Sequence, residues 1–344
     1  MKKQLLIVAC CASAVFALLF LAGCSKPKLD LYIAGYEELE NGNRVAVYWK
    51  NGEKVVLSSD TSGSSWAVSL AVSGSDVYVA GLEIPEPGKF QALYWKNGEK
   101  TVISDGTNTT WAASIAVSGN NVHIAGREMN DQGRFTAVSW KNGVKSVLSE
   151  TTLSAMAYAV AVANEDVYVT GSDSNGQPPG VKAVYWKNGE RVVLSTSSGN
   201  AGASAMAISG SDVYIAGKED TLGVYWKNGV KTVITEDNVI STVSSIAVSG
   251  SDVYVAGNEI SSQGKSVAVY WKNGEKTVLT ENSNSGMAHG IAVNGSTLYV
   301  AGRDTDSGNV HSAVYWENGK KIPLSRGENV MSAEANCVIL ARKK

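Results

Sequence analysis

The sequence predicts an all-β fold, a seven-bladed β-propeller of four-stranded antiparallel blades. Three observations carry this. The tetrapeptide Trp-Lys-Asn-Gly, once Trp-Glu-Asn-Gly, begins at Trp49, Trp95, Trp140, Trp186, Trp226, Trp271 and Trp316, at spacings of 46, 45, 46, 40, 45 and 45 residues. Each period holds four short runs rich in Val, Ile, Thr and Tyr, bounded by Gly, Asn, Ser and Asp, which is the composition of strands and tight turns. Seven copies of a four-strand unit with a period near 45 match the blades of a propeller.

In the Trp271 repeat the first run is Ser-Ile-Ala-Val from Ser245, and the second is Val-Tyr-Val-Ala-Gly from Val253. The third is Val-Ala-Val-Tyr-Trp from Val267, and the fourth is Lys-Thr-Val-Leu-Thr from Lys276. Small and β-branched residues suit the crowded innermost strand, and the large aromatics of the third run fill the widening space between blades. Asn-Gly stands between the third and fourth runs of every repeat and supplies the positive φ angles of a type I′ hairpin. The ring is expected to close on itself. The repeats start at a second-strand run, Leu31 to Gly35, and stop at a first-strand run near Ala335 to Leu340. The C-terminal strand therefore completes the N-terminal blade, which a ring requires and an open solenoid with caps does not. The interval from Trp316 to Ala333 equals that from Trp271 to Ala288, and this aligns Ser332 with Trp66 and Trp111 of earlier repeats.

Residues 1–23 read as a targeting segment. Lys2 and Lys3 precede an almost wholly apolar run from Leu5 to Leu21, which closes on Leu-Ala-Gly-Cys at Cys24. This resembles the bacterial lipoprotein signal, which implies removal of 1–23 and acylation of Cys24. The expected organisation is a leader over 1–23, the lipidated cysteine and a short linker over 24–29, and the propeller over 30–344. With the leader gone and Cys24 acylated, Cys337 is left in an apolar run as a small core residue, and no intramolecular disulfide is expected. The repeats, with their Tyr-Trp-Lys-Asn-Gly marks, resemble those of bacterial β-propeller lipoproteins over nearly all of residues 30–340. That resemblance implies the fold and a place at the cell envelope, and implies no particular activity.

Charged residues make up 18% of the chain and the net charge is −2. Without a basic excess to neutralise phosphates, nucleic acid is not an expected partner. The turns sort the two faces of the disc. First-to-second and third-to-fourth links are short and uniform, so their face is scaffold. Second-to-third links vary in length, and their face is where recognition is expected.

Three features fall on that varied face. An acid stands two positions past each second-strand glycine: Glu37, Glu83, Glu128, Asp173, Glu219, Glu259 and Asp304. Such a carboxylate ring reads as structural, or as a weak cation site, because hard cations gather oxygen ligands. Trp66 and Trp111, just before the first strands of neighbouring blades, are candidate ligand anchors, since aromatic faces stack on sugars or pack on partner chains. His289 is a third candidate at the channel mouth. The shortened repeat at Lys218 to Leu222 would leave a notch in the rim.

No catalytic constellation is evident. The histidines His123, His289 and His311 lie in different repeats without metal-ligand spacing, and no nucleophile elbow, Walker loop or dinucleotide fingerprint occurs. No cofactor and no metal is expected. The sequence thus predicts an exported, membrane-anchored, monomeric lipoprotein whose varied face binds a protein or glycan. The alternatives are an extracytoplasmic polysaccharide-acting enzyme with acids drawn from several blades, and a structural component of envelope assembly.

Overall fold

A computed structural model describes residues 29–343 apart from 59–61, 87, 150–153, 175–179, 198, 237–238, 282 and 325. The expected leader and Cys24 lie outside the described residues. Leu29, assigned to the linker from the sequence, already belongs to the first strand.

The described residues form seven four-stranded antiparallel sheets and no helix. In the Trp95 blade the strands run Ser64–Ser73, Asp76–Glu86, Lys89–Lys96 and Glu99–Val102, from the innermost outward. Five further blades repeat this meander. The Trp49 blade differs only in the source of its inner strand, Val330–Arg342, which pairs antiparallel with Leu29–Leu39 and closes the ring. Inner strands of neighbouring blades contact one another all the way round. Each outer strand is four residues long and carries Glu or Lys, which blunts the edge against pairing with other chains.

The repeated motif has a physical reason at each position. All seven motif tryptophans are essentially inaccessible to solvent and wedge between blades. The glycine of each second strand stands where a Cβ would run into a carbonyl oxygen of the inner strand, and in five blades into the motif tryptophan as well. A Cβ at Gly81 would lie 2.0 Å from the Trp66 carbonyl oxygen and 2.6 Å from Trp95 Cζ3. The motif asparagines adopt φ between 49° and 53° and the glycines after them between 81° and 89°, as a type I′ turn demands. The asparagine side chain also ties the turn down. Asn273 Oδ1 accepts from Val253 N–H at 2.9 Å, and its Nδ2 donates to Asp252 at 2.9 Å. Lys272 pairs with the same aspartate at 2.9 Å and lies over the Tyr254 ring. Tyr, Lys, Asn and Asp thus form one clamp on the uniform face. Asp252 is held below the ordinary carboxyl range by Lys272 first and Asn273 second.

Two expectations need correction here. Cys337 is fully buried as expected but is disulfide-bonded, whereas the sequence led to the expectation of no intramolecular disulfide. Ser332 does not occupy the position equivalent to Trp66. Gly35 faces Ala335 and Tyr36 faces Glu334, just as Gly81 faces Ala67 and Leu82 faces Trp66. The last link is longer than the other repeats suggest, so Glu334 stands at the mouth position.

Candidate functional site: the aromatic channel mouth

The pairing of inner with second strands slips by one residue in every blade. Such a bulge leaves one residue out of the ladder and re-aims its side chain. His289 is the bulged residue of the Trp316 blade and Asn336 that of the Trp49 blade, and both line a cavity at the channel mouth. This cavity, about 450 Å³, is also lined by Tyr36, Trp66, Val68, Leu82, Phe90, Trp111 and Ser244. Asn336 is fixed there by donating to the Ala67 carbonyl at 2.9 Å. The structure therefore brings three sequence-predicted residues, Trp66, Trp111 and His289, to one mouth.

The tryptophans are half-buried and belong to a line of five aromatic rings across three blades. Tyr36 meets Trp66 edge-on at 6.4 Å, Trp66 meets Phe90 at 6.3 Å, Phe90 stacks on Trp111 at 5.1 Å, and Trp111 meets Phe135 edge-on at 5.4 Å. Arginines flank the line. Arg44 lies 4.7 Å from the Tyr36 centroid and 5.4 Å from that of Trp66. Arg127 lies 5.0 Å from the Trp111 centroid and 5.2 Å from that of Phe135. The sequence reading named only the tryptophans. The remaining signal was in plain view, because Phe90 and Phe135 are the only phenylalanines after Phe20.

Beside the aromatic line sits a charged cluster that the sequence reading missed. Glu334 is buried, accepts from Tyr36 Oη at 2.8 Å, and pairs with Arg303 at 3.1 Å. His289 Nε2 lies 2.6 Å from Glu334 Oε1, a close contact that is not well aligned as a hydrogen bond. Burial alone would raise the Glu334 carboxyl, but His289, Arg303 and Tyr36 outweigh it and bring it to about 2. The same burial, together with the Glu334 charge, pushes the Tyr36 phenol well up.

The carboxylate ring is a ring of ion pairs. Glu37, Glu83, Glu128, Asp173, Glu219, Glu259 and Asp304 pair with Lys54, Lys100, Lys145, Arg191, Lys231, Lys276 and Lys321, at 2.5–3.0 Å. Every one of these cations comes from an outer strand, five residues past the motif tryptophan. Among the described residues no cluster of His, Cys, Asp and Glu is arranged to hold a metal. Burial would raise the Glu219 carboxyl, yet Lys231 and the Ser197 and Thr196 amides bring it below its ordinary value. These acids also sit within second strands. In the Trp226 blade the segment read as a link is mostly strand, and only residues 220–221 remain as the turn.

No protein-family model and no curated protein matches the chain. Among solved structures it is similar to a Mycobacterium tuberculosis puromycin-hydrolyzing peptidase (TM-score 0.54, 10% identity, 86% of this chain and 52% of that one). It is also similar to the Pyrococcus horikoshii acylaminoacyl peptidase (TM-score 0.52, 13% identity, 88% and 52%). The chain spans about half the length of these two peptidases. The β-propeller domain of the Trilobed protease from Pyrococcus furiosus is covered over 94% of its length, against 89% of this chain, at 12% identity and TM-score 0.51. At such identities the shared property is the propeller fold. That domain is described as having an open velcro topology, whereas here the C-terminal strand pairs with the first and the ring is closed.

Proposed function

We propose that the chain is a non-catalytic binding module that takes a glycan at its channel mouth. The observation that carries this reading is the line Tyr36, Trp66, Phe90 and Trp111, continued by Phe135, whose first four rings border a cavity of about 450 Å³. Half-buried rings held by their neighbours offer flat apolar faces at little cost in side-chain ordering, which suits the apolar faces of sugar rings. The cavity is of small-ligand size, fitting a short stretch of glycan better than the broad surface that a folded protein partner covers. Exported, lipid-anchored display from Cys24, as the Leu-Ala-Gly-Cys run suggests, would hold this mouth near a membrane surface and expose it to envelope polysaccharide. The polysaccharide-cleaving alternative needed paired acids from the carboxylate ring, and those acids are engaged by lysines and an arginine.

The test is a glycan array probed with the wild-type chain and with the Trp66→Ala, Trp111→Ala double variant. The expected result is binding by the wild type that falls at least about tenfold in the double variant, as for hot-spot aromatics, with the β circular-dichroism signature retained. Equal binding by the two proteins would remove the mouth as the site.

A further inference from the structure

Two arginines occupy equivalent places in the ring, each directly after a second-strand glycine: Arg127 after Gly126 and Arg303 after Gly302. Each is paired across the ladder with the inner-strand mouth residue of its own blade, Trp111 and Met287 respectively. Each reaches toward the mouth residue of the next blade. Arg303 finds the carboxylate of Glu334 there. Arg127 finds the thioether of Met156, with Nη1 3.8 Å from Sδ.

Arg127 therefore lacks what its counterpart has. Among the described residues no carboxylate lies within ion-pair distance of it; the buried Nε is without a hydrogen-bond partner in both arginines. Burial disfavours its charged form, but a guanidinium does not give up its proton in a protein. The group lies over both the Trp111 and Phe135 rings, its central carbon 5.0 Å and 5.2 Å from their centroids, which restricts its fork before any ligand arrives. A partly desolvated, pre-oriented guanidinium without a counter-ion matches a carboxylate, which can accept two parallel hydrogen bonds from it.

Resting on the glycan reading above, we propose that the ligand is an acidic glycan, with a sugar carboxylate received by Arg127 and the sugar ring packed along the cavity side of the Phe90–Trp111 stack. In a uronic acid the carboxyl carbon is bonded directly to the ring. One residue can thus reach the guanidinium and the adjoining aromatic faces together. The line of aromatic faces favours a carboxylated sugar over the bare carboxylate of a peptide end.

The experiment compares oligouronates with the same oligosaccharides after reduction of their carboxyls to alcohols, by calorimetric titration of the wild type, Arg127→Gln and Arg127→Lys. The wild type is expected to bind the oligouronates at least tenfold more tightly than the reduced forms. Arg127→Gln should abolish that preference while keeping residual affinity for the reduced form, and Arg127→Lys should restore part of it. Thermal melts of both variants verify that the ring is folded. Equal wild-type affinity for acidic and reduced forms, or a preference that survives Arg127→Gln, overturns the role of Arg127 and leaves the glycan reading standing. Absence of binding to any glycan on the array overturns both. Preferential capture of peptides through a free C-terminal carboxylate overturns the acidic glycan in favour of a different ligand class.

Discussion

Replacing Glu334 by glutamine removes one negative charge from a site built around it. In the wild type that carboxyl falls from 4.5 to about 2 on folding. At about 1.36 kcal/mol per pH unit, this corresponds to about 3 kcal/mol of folding stability. The folded-state value is depressed, so the contribution is fully present above pH 4.5 and fades as the pH falls toward 2. Glu334→Gln lacks it at every pH and leaves Arg303 without its carboxylate. The expected outcome is a variant less stable than wild type by about 3 kcal/mol at pH 6, with a gap that closes progressively between pH 4.5 and pH 2. Urea titrations at pH 6, 4, 3 and 2, followed by tryptophan fluorescence, measure this directly. A gap that stays constant across that range would refute the argument, because the loss would then stem from packing around residue 334 and not from its charge.

Two further outcomes follow from the ends of the chain. Truncation after Met331 removes the inner strand of the Trp49 blade and bares the edge of Leu29–Leu39, so aggregation or a large drop in melting temperature is expected; a truncated chain that melts like the full one would contradict closure by this strand. Cys24→Ala is expected to abolish metabolic labelling by fatty acid and leave an unprocessed precursor, and undiminished labelling would defeat the lipid anchor.

The architecture was legible because its determinants recur. A tryptophan that fills the space between blades, a glycine where the inner strand's carbonyl leaves no room for a Cβ, and an Asn-Gly pair with positive φ are each required seven times, so spacing alone exposes them. The mouth was legible only in part, because its residues differ from blade to blade by design of the site and so carry no period. Glu334 was missed for a specific reason. Alignment by interval assumed that the last link matched the others, while the strand Val330–Arg342 joins with two irregularities in register. The ion-paired nature of the acid ring did have a sequence signal, a lysine or arginine five residues past every motif tryptophan. Outer and second strands are not adjacent in a blade, so strand pairing alone did not suggest that contact.

Closure by the C-terminal strand has a consequence for the order of assembly. Tyr36 and Glu334 are 298 residues apart in sequence yet share a hydrogen bond, and Asn336 enters the same mouth from the same strand. Contacts of such long range form late, because the intervening chain must be ordered before they are rewarded. A partly emerged chain can therefore build several blades and still present no complete mouth. Ligand recognition becomes a readout of finished folding: a molecule whose ring has not shut lacks the carboxylate that organises Arg303, His289 and Tyr36, and offers its partner an unfinished surface.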